Sequence, residues 1–142
     1  VTVGELQSSE VAASPEVAAS PELGGPFSTR QLLRVDEAMR LADRSTGLTF
    51  SIFVGGLEEP VREDAERLHR QLVDPDRSVL IAVSPNQRRL EIVTGQYARR
   101  RIPDTYVRLA ALSMVAAFGG GDLAGGIVTG LDQLASHAGR GC

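Results

Sequence analysis

The chain has no lysine and no tryptophan, and its one cysteine is the final residue, Cys142. A lone terminal thiol forms no internal disulfide and excludes a cysteine-built metal cage. Aromatic residues make up only 4% of the sequence, so the core has to be aliphatic. No apolar run approaches the ~20 residues needed to span a bilayer, so no membrane span is expected. The start lacks the basic and apolar regions of a secretory signal. Together these absences give the expectation of a soluble, cytoplasmic protein kept in a reducing environment.

What is present is unevenly spread. The 142 residues carry a formal net charge of −3. Residues 1–27 hold Glu5, Glu10, Glu16 and Glu22 and no base, whereas residues 28–142 hold 15 arginines against 14 acids. The acidity therefore belongs to the first segment, and the remainder is close to neutral. A near-neutral body lacks the field that holds a nucleic-acid backbone, so no nucleic-acid partner is expected. The first segment repeats Glu-Val-Ala-Ala-Ser-Pro at 10–15 and 16–21. Such Ala, Ser, Pro and Glu bias cannot bury enough apolar surface to offset the entropy of ordering it. Residues 1–27 are accordingly read as a disordered acidic tail, and 28–140 as one domain.

Order begins at Ser28-Thr-Arg-Gln31, which fits a capping box. Apolar residues from Leu32 to Ala42 then recur at helical spacing, and Gly47 suits the left-handed position after the helix. Leu48–Val54 is β-branched and aromatic and reads as a strand. Pro60 opens a second helix with Val61, Ala65, Leu68 and Leu72 on one face. In that helix His69, flanked by Arg67 and Arg70, is assigned to the solvent side. Asp74–Arg77 is a turn. Val79–Val83 is continuously apolar, as in a strand buried on both faces, and Arg89–Thr94 alternates as the returning arm of a hairpin. A short helix over Tyr97–Arg101 follows. A long helix capped by Asp104 or Thr105 then runs to Phe118, and a last one over 123–138 is capped by Asp122. The order implies an α/β fold: a three-layer α/β/α sandwich with a small mixed sheet covered by helices.

No nucleophile elbow, phosphate-binding Gly-Lys loop, dinucleotide fingerprint or zinc spacing occurs. Gly119–Gly126 follows a helix rather than a strand and has no lysine after it, so it is read as a helix–helix turn. Neither His69 nor His137 has a ligand-type residue at helical spacing. Two sets of residues remain. Asp76, Asp104 and Asp122 stand at loop ends, where hard cations such as Ca²⁺ or Mg²⁺ take oxygen ligands. Arg88, Arg89, Arg99, Arg100 and Arg101 form a candidate basic corner for an anionic ligand.

Residues 47–135 resemble the TPM domain, and more narrowly the uncharacterised actinobacterial DUF5130 proteins. The features carrying the resemblance are Thr46-Gly47-Leu48, the paired strands ending in Gly95, Asp104 opening a helix, and Phe118…Gly121-Asp122-Leu-Ala-Gly125…Gly130. The resemblance implies an α/β/α sandwich. It also implies relatives for which acid phosphatase activity has been proposed, some of them binding divalent metal through loop carboxylates. Asp104 and Asp122 match acidic positions of TPM chains, and Asp76 lies in the corresponding loop. The chain departs from that pattern at Asp74–Ser78 and at Gly95-Gln-Tyr97. The function expected on these grounds is a non-catalytic binding or accessory module, acting on an unknown protein partner or a small anionic ligand. The alternative is a weak phosphomonoester hydrolase dependent on Ca²⁺ or Mg²⁺ held by Asp76, Asp104 and Asp122.

Overall fold

Ser28 opens the first helix as its sequence requires. Its side chain accepts from the Gln31 amide at 3.1 Å, and the Gln31 side chain accepts from the Ser28 amide at 2.9 Å. The computed structural model describes residues 2–3 and 27–139. The tail reading falls mainly on 4–26, which lie outside the described residues. Two residues of the 1–27 segment that are described, Thr2–Val3, form the short strand β1. Helix α1 spans Thr29–Thr46 and stops at Gly47, whose φ of 78° is the left-handed value a Cβ resists.

Strand β2 (Thr49–Val54) leads into α2 (Val61–Arg70), a 3₁₀ turn at Pro75–Arg77 and strand β3 (Ser78–Ser84). β2 and β3 pair in parallel, with Thr49 opposite Ser78 and Val54 opposite Val83. Parallel neighbours need a long crossover, which α2 supplies. β3 turns back through Pro85–Arg88 into β4 (Arg89–Thr94), antiparallel, with Val79 opposite Thr94. Short α3 (Gln96–Arg101), long α4 (Asp104–Gly119) and α5 (Leu123–Ser136) complete the chain. The sheet order is β1-β4-β3-β2.

Every residue of β3 is buried, so both faces of the sheet are covered. Helix α2 packs on β3 and β4, α4 on β4, and α1 on β2, while α5 contacts both α1 and α4. This is the α/β/α sandwich expected from the element order, and the core is aliphatic, with Leu80, Ile81, Leu90, Ile127, Leu131 and Leu134 fully buried. Small residues set the helix spacing. Gly126 and Gly130 of α5 face the Phe118 ring and the Met114 side chain of α4, where a Cβ would overlap.

Three local readings are corrected. His69 is buried, not solvent-facing, and its Nε2 lies 3.0 Å from the Ser78 carbonyl oxygen. Its position four residues after Ala65 puts it on the inward face, which outweighs its two arginine neighbours. The N-cap of α4 is Pro103, with Asp104 the first helical residue and no side-chain cap bond. The last helix ends at Ser136, two residues short of 138.

Candidate functional site

The sheet has two ends, and the elements distribute the candidate residues between them. β3 begins beside the Pro75–Arg77 turn and finishes at Ser84; at ~3.3 Å per residue its seven residues span about 20 Å. Helix α4 runs for 16 residues, or roughly 24 Å at 1.5 Å each. Asp76 lies where β3 begins and accepts from the Tyr97 amide at 3.0 Å through Oδ1. Asp104 lies near the same end and lines a small cavity with Thr94. Asp122 is carried to the far end by α4, where its Oδ1 accepts from the Gly125 amide at 2.9 Å and caps α5. The three carboxylates are therefore not brought into one group. Among the described residues no cluster of three or more His, Cys, Asp or Glu is arranged to hold a metal ion.

The arginines divide in the same way. Arg88 and Arg89 stand at the hairpin, where β4 begins, and Arg99, Arg100 and Arg101 lie in α3, beyond the other end of β4. The expected single basic corner is thus two separate sites, because β4 is extended. Arg101 is used internally. Its Nη2 donates to the Thr46 carbonyl at 2.8 Å, its Nε to the Gly139 carbonyl and its Nη1 to Tyr97 Oη at 3.4 Å. It latches the end of α1 to the segment after α5. Arg100 is exposed, with its guanidinium 5.9 Å from the Tyr97 ring centroid, and Arg77 covers the same ring at 4.2 Å. Arg99 Nη2 donates to the Thr94 carbonyl at 3.0 Å.

The hairpin end holds the larger cavity, about 450 Å³. Val83 of β3, Val115 and Phe118 of α4 and Leu123 of α5 line its apolar part, while Ser84, Arg88 and Arg89 line its polar part. Gly119 and Gly121 bring the α4–α5 turn against it. Gly121 has φ 88°, so this turn depends on a residue without Cβ. Gln87, within the hairpin turn, ties the hairpin to Leu57. Its Oε1 accepts from the Leu57 amide at 3.1 Å and from Ser84 Oγ at 2.9 Å, and its Nε2 donates to the Leu57 carbonyl at 3.2 Å. Arg88, with φ 56°, is the one non-glycine residue of positive φ among the described residues. Arg89 Nε is buried with no hydrogen-bond partner among the described residues. Among the described residues the cavity lining carries two guanidiniums and no carboxylate, imidazole or thiol.

Sequence reasoning identified Arg88 and Arg89 but not Val115, Phe118 or Leu123, nor Arg62 and Arg108 at the opposite end. A signal for the first set was available. A 16-residue helix that starts where β4 ends returns its glycine-rich terminus to the hairpin. Arg62 gave none, since α2 is rich in charges of both signs.

A family model described as a domain of unknown function, DUF5130, matches residues 3–135. Two uncharacterised proteins of Mycobacterium tuberculosis, MT2543 of strain CDC 1551 and Rv2468c of strain H37Rv, are each 30% identical over 111 residues. The match covers 78% of this chain and 66% of each relative, just under two thirds of their length. The solution structure of the N-terminal domain of a protein from P. gingivalis is similar with a TM-score of 0.69 at 19% identity, covering 79% of this chain and 76% of that one. The N-terminal domain of cg2496 from Corynebacterium glutamicum gives 0.60 at 16%, covering 79% and 74%. At these identities the likeness is one of fold.

Proposed function

We propose that this chain, which belongs to the DUF5130 family, is a non-catalytic binding module for a small anion bearing an apolar group, held in the cavity at the hairpin end of the sheet. The observation that carries this reading is the composition of the lining: an apolar wall of Val83, Val115, Phe118 and Leu123 beside Arg88 and Arg89. A volume of about 450 Å³ lies within the range of small-molecule sites. Guanidiniums hold carboxylate or phosphate oxygens in paired hydrogen bonds. They stay charged at all ordinary pH, so they bind anions but do not exchange protons. General acid–base chemistry needs a titrating group within reach, and this lining supplies none. Ser84 donates its hydroxyl to Gln87 rather than to a base. The hydrolase alternative requires Asp76, Asp104 and Asp122 to share one site, and their positions at the two ends of the sheet give it no support.

Octanoate is the probe, having one carboxylate and a chain of suitable length. In an amide-resolved NMR titration it is expected to shift Ser84, Val115 and Leu123 saturably. Arg88→Gln should weaken its binding about tenfold, the equivalent of one charge-assisted hydrogen bond. Shifts confined to the α3 end of the sheet, or equal binding by the variant, would overturn the reading.

A further inference from the structure

A second, smaller cavity of about 170 Å³ lies at the other end of the sheet. β1 pairs only with Glu91 and Leu90, so the outer edge of β4 from Ile92 to Thr94 has no strand partner among the described residues. Three helices converge there. α2 contributes Arg62, α3 contributes Arg99, and α4 contributes Asp104 and Arg108. Two of the guanidiniums are held in position by protein acceptors. Arg62 Nη1 donates to Glu91 Oε1 at 3.0 Å and to the Ile92 carbonyl at 3.1 Å, and its Nε donates to Glu66 at 2.9 Å. Arg99 Nη2 donates to the Thr94 carbonyl at 3.0 Å.

These contacts leave donors over. Arg62 Nη2, and Arg99 Nε and Nη1, make no hydrogen bond with the described residues, and Arg108 makes neither a hydrogen bond nor an ion pair with them. The lining thus presents three guanidiniums and a single carboxylate, Asp104. The volume equals about five or six waters and is below that of a small-molecule site, which suits one tetrahedral oxyanion. A carboxylate beside three arginines repels a fully deprotonated oxyanion. It accepts a hydrogen bond from one that keeps an O–H. At neutral pH inorganic phosphate keeps such a hydroxyl, whereas sulfate and the dianion of a phosphomonoester do not.

We propose that this cavity is a binding site for inorganic hydrogen phosphate, with Arg62, Arg99 and Arg108 donating to its oxygens and Asp104 accepting from its hydroxyl. The site is separate from the hairpin cavity and stands independently of it. The test is an amide-resolved NMR titration of the full chain at low, constant ionic strength. The probes are inorganic phosphate, sulfate and glycerol 2-phosphate. Phosphate is expected to shift Thr94, Arg99 and Arg108 saturably, and to bind about fivefold or more tightly than either of the other two, as one added charge-assisted hydrogen bond implies. Arg108→Gln, an exposed change that removes no hydrogen bond or ion pair with the described residues, should weaken phosphate about tenfold by the same reasoning. Asp104→Ala should bring phosphate and sulfate to within about twofold of each other, because the acceptor for the phosphate hydroxyl and the charge that repels sulfate are both gone. Four results would overturn the proposal: no saturable shift, shifts confined to residues 83–89 and 119–123, unchanged affinity in Arg108→Gln, or equal binding of sulfate and phosphate by the unaltered chain.

Discussion

Arg62→Met is expected to destabilise the fold by about 3 kcal/mol, through the carboxylate it leaves behind. Glu91 is fully buried, in a strand position opposite Ala82. One of its oxygens meets Arg62 Nη1 at 3.0 Å, and the other, Oε2, is buried with no hydrogen-bond partner among the described residues. Arg62 is therefore the only charged partner of a buried anion among the described residues. Burial works against the guanidinium's charge, but the hydrogen bonds to Glu91 and Glu66 outweigh it, so the Arg62 proton is held more tightly than usual. Removing one member of a buried pair costs about 3–5 kcal/mol. The Arg62 side chain is 36% exposed, so solvent already screens the pair and the low end of that range applies. For a domain of this length the loss corresponds to a melting point lower by roughly 10–15 °C.

The decisive assay is a double-mutant cycle in urea, followed by far-UV circular dichroism. Glu91→Gln keeps the shape and removes the charge. In the Arg62→Met background it should restore much of the lost stability, giving a coupling energy of about 1.5 kcal/mol or more. The dependence of stability on urea should be unchanged, since the exposed area is the same. A cost below about 1 kcal/mol for Arg62→Met, or additivity within about 0.5 kcal/mol, would refute the reasoning.

Three further predictions concern single positions. Burial pushes the Asp43 carboxyl up from 3.8, and its hydrogen bond from the Phe50 amide at 2.7 Å only partly opposes this. The folded chain thus holds that proton more tightly than the unfolded one, and the associated stability is present below pH 3.8 and lost as pH rises through the folded value. Asp43→Asn keeps the acceptor for Phe50 and removes the titration. Its stability relative to the parent should rise across that acid window and then level off, and a flat difference in urea titrations from pH 3 to neutrality would count against this. A Cβ on Gly95 would collide with the Pro75 carbonyl oxygen and sit 2.5 Å from the Asp76 carbonyl oxygen, both backbone atoms that cannot rotate away. Gly95→Ala should cost about 3 kcal/mol. Gly119→Ala has open space and ends a helix, so thermal denaturation should show it neutral or slightly stabilised.

Local features of the chain were legible because their causes are local. Ser28 and Gln31 form their capping box, Gly47 takes the left-handed turn, and Asp122 caps the last helix. β4 occupies the residues expected of it, Arg89–Thr94, because its polar–apolar alternation is a property of neighbouring residues. The candidate site was only half legible. Arg88 and Arg89 were singled out by their position in the hairpin. Three of their four apolar companions, Val115, Phe118 and Leu123, belong to α4 and α5, more than 20 residues further along the chain. The burial of His69 is hidden in the sequence for the same reason, since its sequence neighbours are charged while its spatial neighbour is the start of β3.

The sequence by itself determined the order of elements from α1 to α5, the mixed sheet and the aliphatic core, since each follows from periodicity, caps and the lack of tryptophan. Tertiary structure alone decided which charged residues share a site. Extended β4 parts Arg88 and Arg89 from Arg99, and helical α4 parts Asp104 from Asp122. The fold also recruits Arg62 and Arg108, from two different helices, to the space beside Arg99. Proximity of this kind depends on the lengths and directions of rigid elements, which no single window of sequence contains.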